Sequence, residues 1–245
     1  MQDSANGGLA MMNDINRRKL LKSAFCLAVC GFAGFVAIQF FGMRDAQAWG
    51  ILPSVIVSGS GAAACTAGND SNCVLLIHSN TTDGSTTFVD SSQGGADHTA
   101  DITASGDVHH ETDQQKFGAT SIETWGANTS ILSIADSADW DFGTGDFDIE
   151  FYVRWKGAVA NSGLLGRYTA EAGTWALQYS AGTLYWYYGN GTSWNKAWTP
   201  VADTWYHICI ARASNTTRWF VGGTQIGTSE TDNNDYDTAA ALEIG

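Results

Sequence analysis

Proline is almost absent from this chain, with two residues in 245, and only Pro200 falls in the part that reads as a folded domain. Proline cannot donate to a β-ladder, so its scarcity fits a sheet with long continuous pairing. Positive charge is scarce too, with 12 Lys and Arg against 25 Asp and Glu and a net charge of −13. That balance excludes nucleic acid as an expected partner, because such affinity comes from cations that neutralise phosphates. No apolar pattern of helical period persists for three turns, which argues against an α-helical domain. Phosphate-cradling loops, nucleophile elbows and zinc-protease helices are missing as well, so no familiar catalytic motif is written in the chain.

The N-terminus reads as an address rather than as fold. Asn16-Arg17-Arg18-Lys19-Leu20-Leu21-Lys22 is basic, Ser23 to Gly42 is uncharged, and Ala46-Gln47-Ala48 is a small-x-small cleavage site. The paired arginines resemble those of a bacterial twin-arginine signal. An uncleaved anchor is the alternative, since the apolar run approaches the ~20 residues that span a bilayer. Both readings place the rest outside the cytoplasm, periplasmic, extracellular or at the cell surface, with membrane contact only through an uncleaved N-terminal segment. Without residues 1–48 the chain keeps seven Lys and Arg against 22 Asp and Glu. Carboxylates in such excess keep a protein soluble or hold divalent cations.

Residues 49–72 are rich in Gly, Ser and Ala and read as a linker or an edge strand, with a β-like stretch at Ser54 to Val57. Cys65 and Cys73 flank a short polar loop, a candidate disulfide in an oxidising compartment. Cys209 reads as a small core hydrophobe. Residues 73–245 read as one all-β domain of short strands, the clearest being 74–78, 130–134, 147–155, 174–179, 183–188, 204–211, 218–221 and 224–228. Gly182 and Gly222-Gly223 supply the positive φ that tight hairpins need. In the strand from Phe147 to Trp155, Phe147, Ile149, Phe151, Val153 and Trp155 alternate onto a core face, and Asp146, Asp148, Glu150, Tyr152 and Arg154 onto the other.

These residues carry a resemblance. Leu132 to Phe147, the strand that follows, Thr204-Trp205-Tyr206-His207-Ile208 and the Phe220-Val221-Gly222-Gly223-Thr224 hairpin together resemble the laminin-G-like jellyrolls of the concanavalin A-like lectin/glucanase superfamily. The resemblance implies a two-sheet antiparallel jellyroll sandwich with about six strands per sheet and one concave face. It also implies a lectin-like or adhesive module for a glycan or cell-surface polymer. Similar domains continue past Leu242-Glu243-Ile244-Gly245 with a last strand, so a missing final strand is expected here.

Three constellations follow. Asp146, Asp148 and Glu150 put three carboxylates on one strand face, resembling the acidic alternation of endoglucanases in this superfamily, where two carboxyl groups ~5 Å apart cleave with retention. A solvated strand face is the plainer reading. Asp136, Asp139 and Asp141 cluster in the preceding loop and Asp232, Asp235 and Asp237 near the end. The first is the candidate Ca²⁺ site, because the resemblance brings a rim calcium with it. Tyr185, Tyr187, Trp194 and Trp198 are the candidate ligand-binding aromatics, since sugar C–H faces stack on aromatic planes. Leu184, Trp186 and Tyr188 share one face of that strand and Tyr185 and Tyr187 the other, and which face looks outward is open. His109-His110-Glu111 does not read as a metal site, since neighbours on a strand point apart and no second His follows at a zinc spacing. A binding module is therefore the leading expectation. An endoglucanase-like hydrolase and a structural accessory domain are the alternatives.

Overall fold

The structure, a computed structural model, describes residues 51–52, 54–59, 71–124, 130–169, 171–189 and 191–245. The signal or anchor expected over residues 1–48 lies outside these, and so does Cys65. In chain order the strands are β1 (Ile51–Leu52), β2 (Ser54–Gly59), β3 (Cys73–His78), β4 (Ile102–Ala104), β5 (His109–Glu111), β6 (Ser121–Glu123), β7 (Leu132–Ile134), β8 (Phe147–Val153) and β9 (Ser162–Arg167). Then come β10 (Trp175–Ser180), β11 (Thr183–Tyr188), β12 (Thr192–Ala197), β13 (Tyr206–Ala213), β14 (Thr216–Val221), β15 (Thr224–Gln225), β16 (Glu230–Thr231) and β17 (Leu242–Ile244).

One sheet runs β12-β11-β10-β9-β17-β7-β4 and the other β15-β14-β13-β8-β2-β3, with β16 also on β14. A small third ladder, β1-β6-β5, stands apart from these two. The expected all-β antiparallel sandwich is therefore present. The Ser54–Gly59 stretch is neither linker nor edge. It pairs β3 on one side and β8 on the other, and so lies inside its sheet. At the end of the chain, β17 lies between β9 and β7.

Alternation builds the core. Phe147, Ile149, Phe151 and Val153 of β8 are each at most 1 % exposed, and facing them from the other sheet are Trp175, Leu177, Leu184 and Trp186. Trp175 stacks on Trp186 with ring centroids 5.2 Å apart, and Phe147 on Trp186 at 5.8 Å. Trp140, Trp155, Trp175, Trp186 and Trp219 are all fully buried, each worth roughly 1.5–3 kcal/mol or more by the area it removes from water. Half of the ten tryptophans thus serve packing.

Two hairpins turn as the sequence requires. Ala181 and Gly182 join Ser180 to its partner Thr183 with φ of 46° and 84°, and Gly222-Gly223 join Val221 to Thr224 with 57° and 76°. Positive φ at both central residues is the primed turn that matches strand twist.

Two arginines tie the loops to this frame. Arg167, at the end of β9, is fully buried and donates to the carbonyls of Trp140, Thr238 and Ala240 and to the carboxylates of Asp136 and Asp141. Arg212, at the end of β13, donates to the carbonyls of Gly143, Gly145 and Asn234 and lies over the rings of Phe147 and Tyr236. Cys209 is buried but disulfide-bonded, which corrects its reading as a plain core hydrophobe.

Candidate functional site

The register of β9 to β12 decides which aromatics face away from the core. Trp186 is in the core and pairs across the ladder with Trp194, so Trp194 shares the inner face, where it packs on Tyr188 at 4.2 Å and on Trp219 at 6.1 Å. Trp198 packs at the sandwich end against Trp155, Tyr179 and Tyr206. The four expected binding aromatics therefore divide. Trp194 and Trp198 belong to the packing, and only Tyr185 and Tyr187 stand on the outer face.

That outer face is ordered in rows. Tyr185 pairs with Asn195 on β12 and with Gln178 on β10, which in turn pairs with Gly163 on β9. The next row is Ser193, Tyr187, Ala176 and Gly166. Each row falls from a tyrosine on β11 to a glycine on β9. The step is built in, because a Cβ at Gly166 would come within 2.6 Å of Ala176. The two tyrosine rings lie 5.8 Å apart with planes only 20° off parallel. Tyr187 is buried, and desolvation beside the Tyr185 and Tyr168 phenols pushes its own phenol up to about 12. Tyr185 is half-buried and Asn195 exposed, while the recessed Gln178 offers a side-chain oxygen that no hydrogen bond satisfies. Buried acceptors are normally paired, and this oxygen is enclosed with no partner among the described residues.

The acidic strand face meets a different fate. Asp146 accepts from the Ser214 amide, Glu150 is 3.0 Å from Nε2 of His207, and Asp148 is 1 % exposed. Asp146 and Glu150 are held by protein partners rather than set as a free pair.

The expected calcium loop is also committed. Asp136 and Asp141 clasp the guanidinium of Arg167, and Asp139 accepts from the Ala96 amide at 2.7 Å and lies 2.9 Å from Nε2 of His98. The Arg167 guanidinium thus lies between Asp136 and Asp141, while Asp139 turns to His98. In the later loop, Asp232 accepts from Thr217 and Tyr236 at 2.6 and 3.0 Å and shapes the turn at Asn234. Cys73 is buried in β3 as a thiol whose Sγ lies 3.7 Å from the Leu75 carbonyl oxygen, which corrects the expected Cys65–Cys73 bridge.

A cleft that the sequence did not foreshadow lies among the described residues. A cleft of roughly 700 Å³ opens beside β5 and β6, walled by Gly84, Thr86, Gly106 and Val108, with His109, Glu111, Glu123 and Lys156 at its polar end. His109 and Glu111 alternate onto one face of β5, and Glu123 stands directly across the ladder from His109. Burial raises the Glu123 carboxyl, against the pull of Lys156, whose ammonium is 3.5 Å away. His110, on the opposite face, is turned inward, 2.6 Å from Ser79 Oγ and stacked on Phe88. The i, i+2 spacing of His109 and Glu111 is visible in the sequence. The contribution of Glu123 needed the pairing of two three-residue strands.

Residues 126–245, just under half the chain, match the family model described as the concanavalin A-like lectin/glucanases superfamily. Among solved structures, mouse laminin alpha1 chain, domains LG4-5, matches at 18 % identity over 41 % of this chain and 28 % of that chain, with a TM-score of 0.34. The match therefore spans less than a third of that chain's length. No curated protein matches the sequence.

Proposed function

We infer, from the premise that residues 126–245 form a laminin-G-like domain of the concanavalin A-like lectin/glucanase superfamily, that this protein is an exported module binding a carbohydrate or cell-surface polymer. The reading places the ligand on the outer face of β9 to β12 with Tyr185 as its anchor. One observation carries it: the cross-strand row Asn195, Tyr185, Gln178, Gly163, where an exposed amide and a half-buried ring meet a recessed acceptor and then a floor with no side chain. A sugar offers an apolar C–H face for the ring and hydroxyls for the exposed Asn195 amide, which is the chemistry such a row can meet. Export is supported by the signal-like N-terminus and by the disulfide at Cys209, a bond that persists in oxidising compartments.

The test is a glycan and bacterial-polysaccharide array probed with the full chain in calcium and again in EDTA, followed by titration of the best ligand. Tyr185→Ala should weaken that ligand by roughly tenfold or more, the value of about 1.5 kcal/mol of stacking and burial. An array blank in both buffers, or a ligand whose affinity Tyr185→Ala leaves unchanged, contradicts the reading.

A further inference from the structure

We propose that His109, Glu111 and Glu123 form a binding site for one divalent transition-metal ion, Zn²⁺ by ligand type, on the β5-β6 ladder at the mouth of the neighbouring cleft. This site is separate from the tyrosine face and does not depend on that face binding a glycan.

Ligand placement comes first. One ring nitrogen of His109 and one oxygen from each of Glu111 and Glu123 lie within 4.8 Å of one another, and His109 Nε2 is 3.6 Å from Glu111 Oε2. Tetrahedral Zn²⁺ with bonds of ~2.0–2.1 Å sets its ligands about 3.4 Å apart, so closure asks only for small side-chain shifts. The triad is fixed by sheet geometry, with two ligands alternating along one strand and the third directly opposite.

Two of the ligands are already aimed. His109 Nδ1 lies 2.6 Å from the carbonyl oxygen of Asp107, which can only accept, so Nδ1 carries the proton and Nε2 turns toward the carboxylates. Glu111 accepts the Asp113 amide on Oε1 at 2.8 Å, leaving Oε2 as the atom beside His109. Backbone partners of this kind orient the ligands of established metal sites.

The donor set selects the ion. Calcium and magnesium take oxygen ligands, whereas an imidazole with two carboxylates suits zinc and its neighbours. Three protein ligands beside an open cleft leave a fourth position for water or a bound group, the pattern of zinc sites that engage a ligand. Lys156 at present faces Glu123, and with about a third of its side chain exposed it can withdraw to solvent as the ion enters.

Zn²⁺ itself is the probe. Full-length, chelator-stripped protein is titrated with Zn²⁺ against a chromophoric zinc indicator, bound metal is counted after gel filtration, and Co²⁺ is added separately for its visible spectrum. The expected result is one Zn²⁺ per chain, a d–d absorption typical of four-coordinate Co²⁺, and no competition from millimolar Ca²⁺. His109→Gln should weaken Zn²⁺ by at least roughly a hundredfold, beyond the 10–100-fold typical of losing an outer partner. Lys156→Ala should tighten it, and His78→Gln, whose ring faces Ser91 Oγ at 3.5 Å and not the triad, should leave it unchanged. Glu111→Gln, on a surface strand, serves as the second ligand variant where Glu123→Gln misfolds. Binding weaker than 100 μM, or binding that survives His109→Gln and Glu111→Gln, overturns the proposal.

Discussion

Replacing Arg167 by Met should be the most damaging single change in the sandwich that leaves its apolar packing in place. The guanidinium is wholly buried and meets five acceptors, three of them the carbonyls of Trp140, Thr238 and Ala240. The two carboxylates are partly exposed, Asp136 by 43 % and Asp141 by 27 %, so solvent screens those pairs to about 0–1 kcal/mol each. Most of the loss therefore comes from carbonyls left without a donor, about 1–3 kcal/mol apiece before water relieves them. A net destabilisation of about 3–5 kcal/mol follows, the range for removing one partner from a buried ionic network. With an m-value of about 2–3 kcal/mol per molar for a domain of this size, the urea midpoint should fall by about 1–2 M in tryptophan-monitored unfolding. Arg167→Lys should land between the two, since one ammonium cannot reach acceptors spread around a planar fork. A midpoint shift below about 0.4 M for Arg167→Met would refute the claim that this arginine ties the loops down.

Further outcomes are fixed by the same geometry. Ala181→Asn should raise stability by about 1 kcal/mol, read as a higher melting temperature, because φ of 46° strains alanine and suits the Asn-Gly turn it would create. Gly166→Ala should cost about 1–3 kcal/mol in the same assay, since the new methyl meets the Ala176 backbone at 2.6 Å. Tyr187 ionises near 12 in the folded chain against about 10 unfolded, so the folded state holds its proton more tightly and stability falls as pH rises through that window. Tyr187→Phe should flatten the decline between about pH 10 and 12, and an unaltered slope in pH-dependent urea melts would count against a buried phenol.

Legibility followed the range of the interactions. The β8 strand was readable because its alternation is local, and the pairs at Ala181-Gly182 and Gly222-Gly223 declared their turns. Strand β9 was not, since Ser162-Gly163-Leu164-Leu165-Gly166-Arg167 has no alternation of its own. Its glycines answer Ala176 and Gln178 on the next strand. Nor could spacing show that Asp136 and Asp141 serve an arginine some thirty residues away, or that β2 would be inserted beside β8. The tyrosine question was open for the same reason. Only pairing with Trp194 on one side and Leu177 on the other turns Trp186 inward and Tyr185 out. The cleft triad needed β5 and β6, each three residues long, to find one another.

Covalent footprinting of the full chain, with and without a polysaccharide it retains, addresses the outer-face reading most directly. Protection should centre on Tyr185, Ser193 and Asn195, with labelling of Tyr152 and Arg218 on the opposite sheet unchanged. Protection of Tyr152 and Arg218 with Tyr185 still labelled would contradict the account.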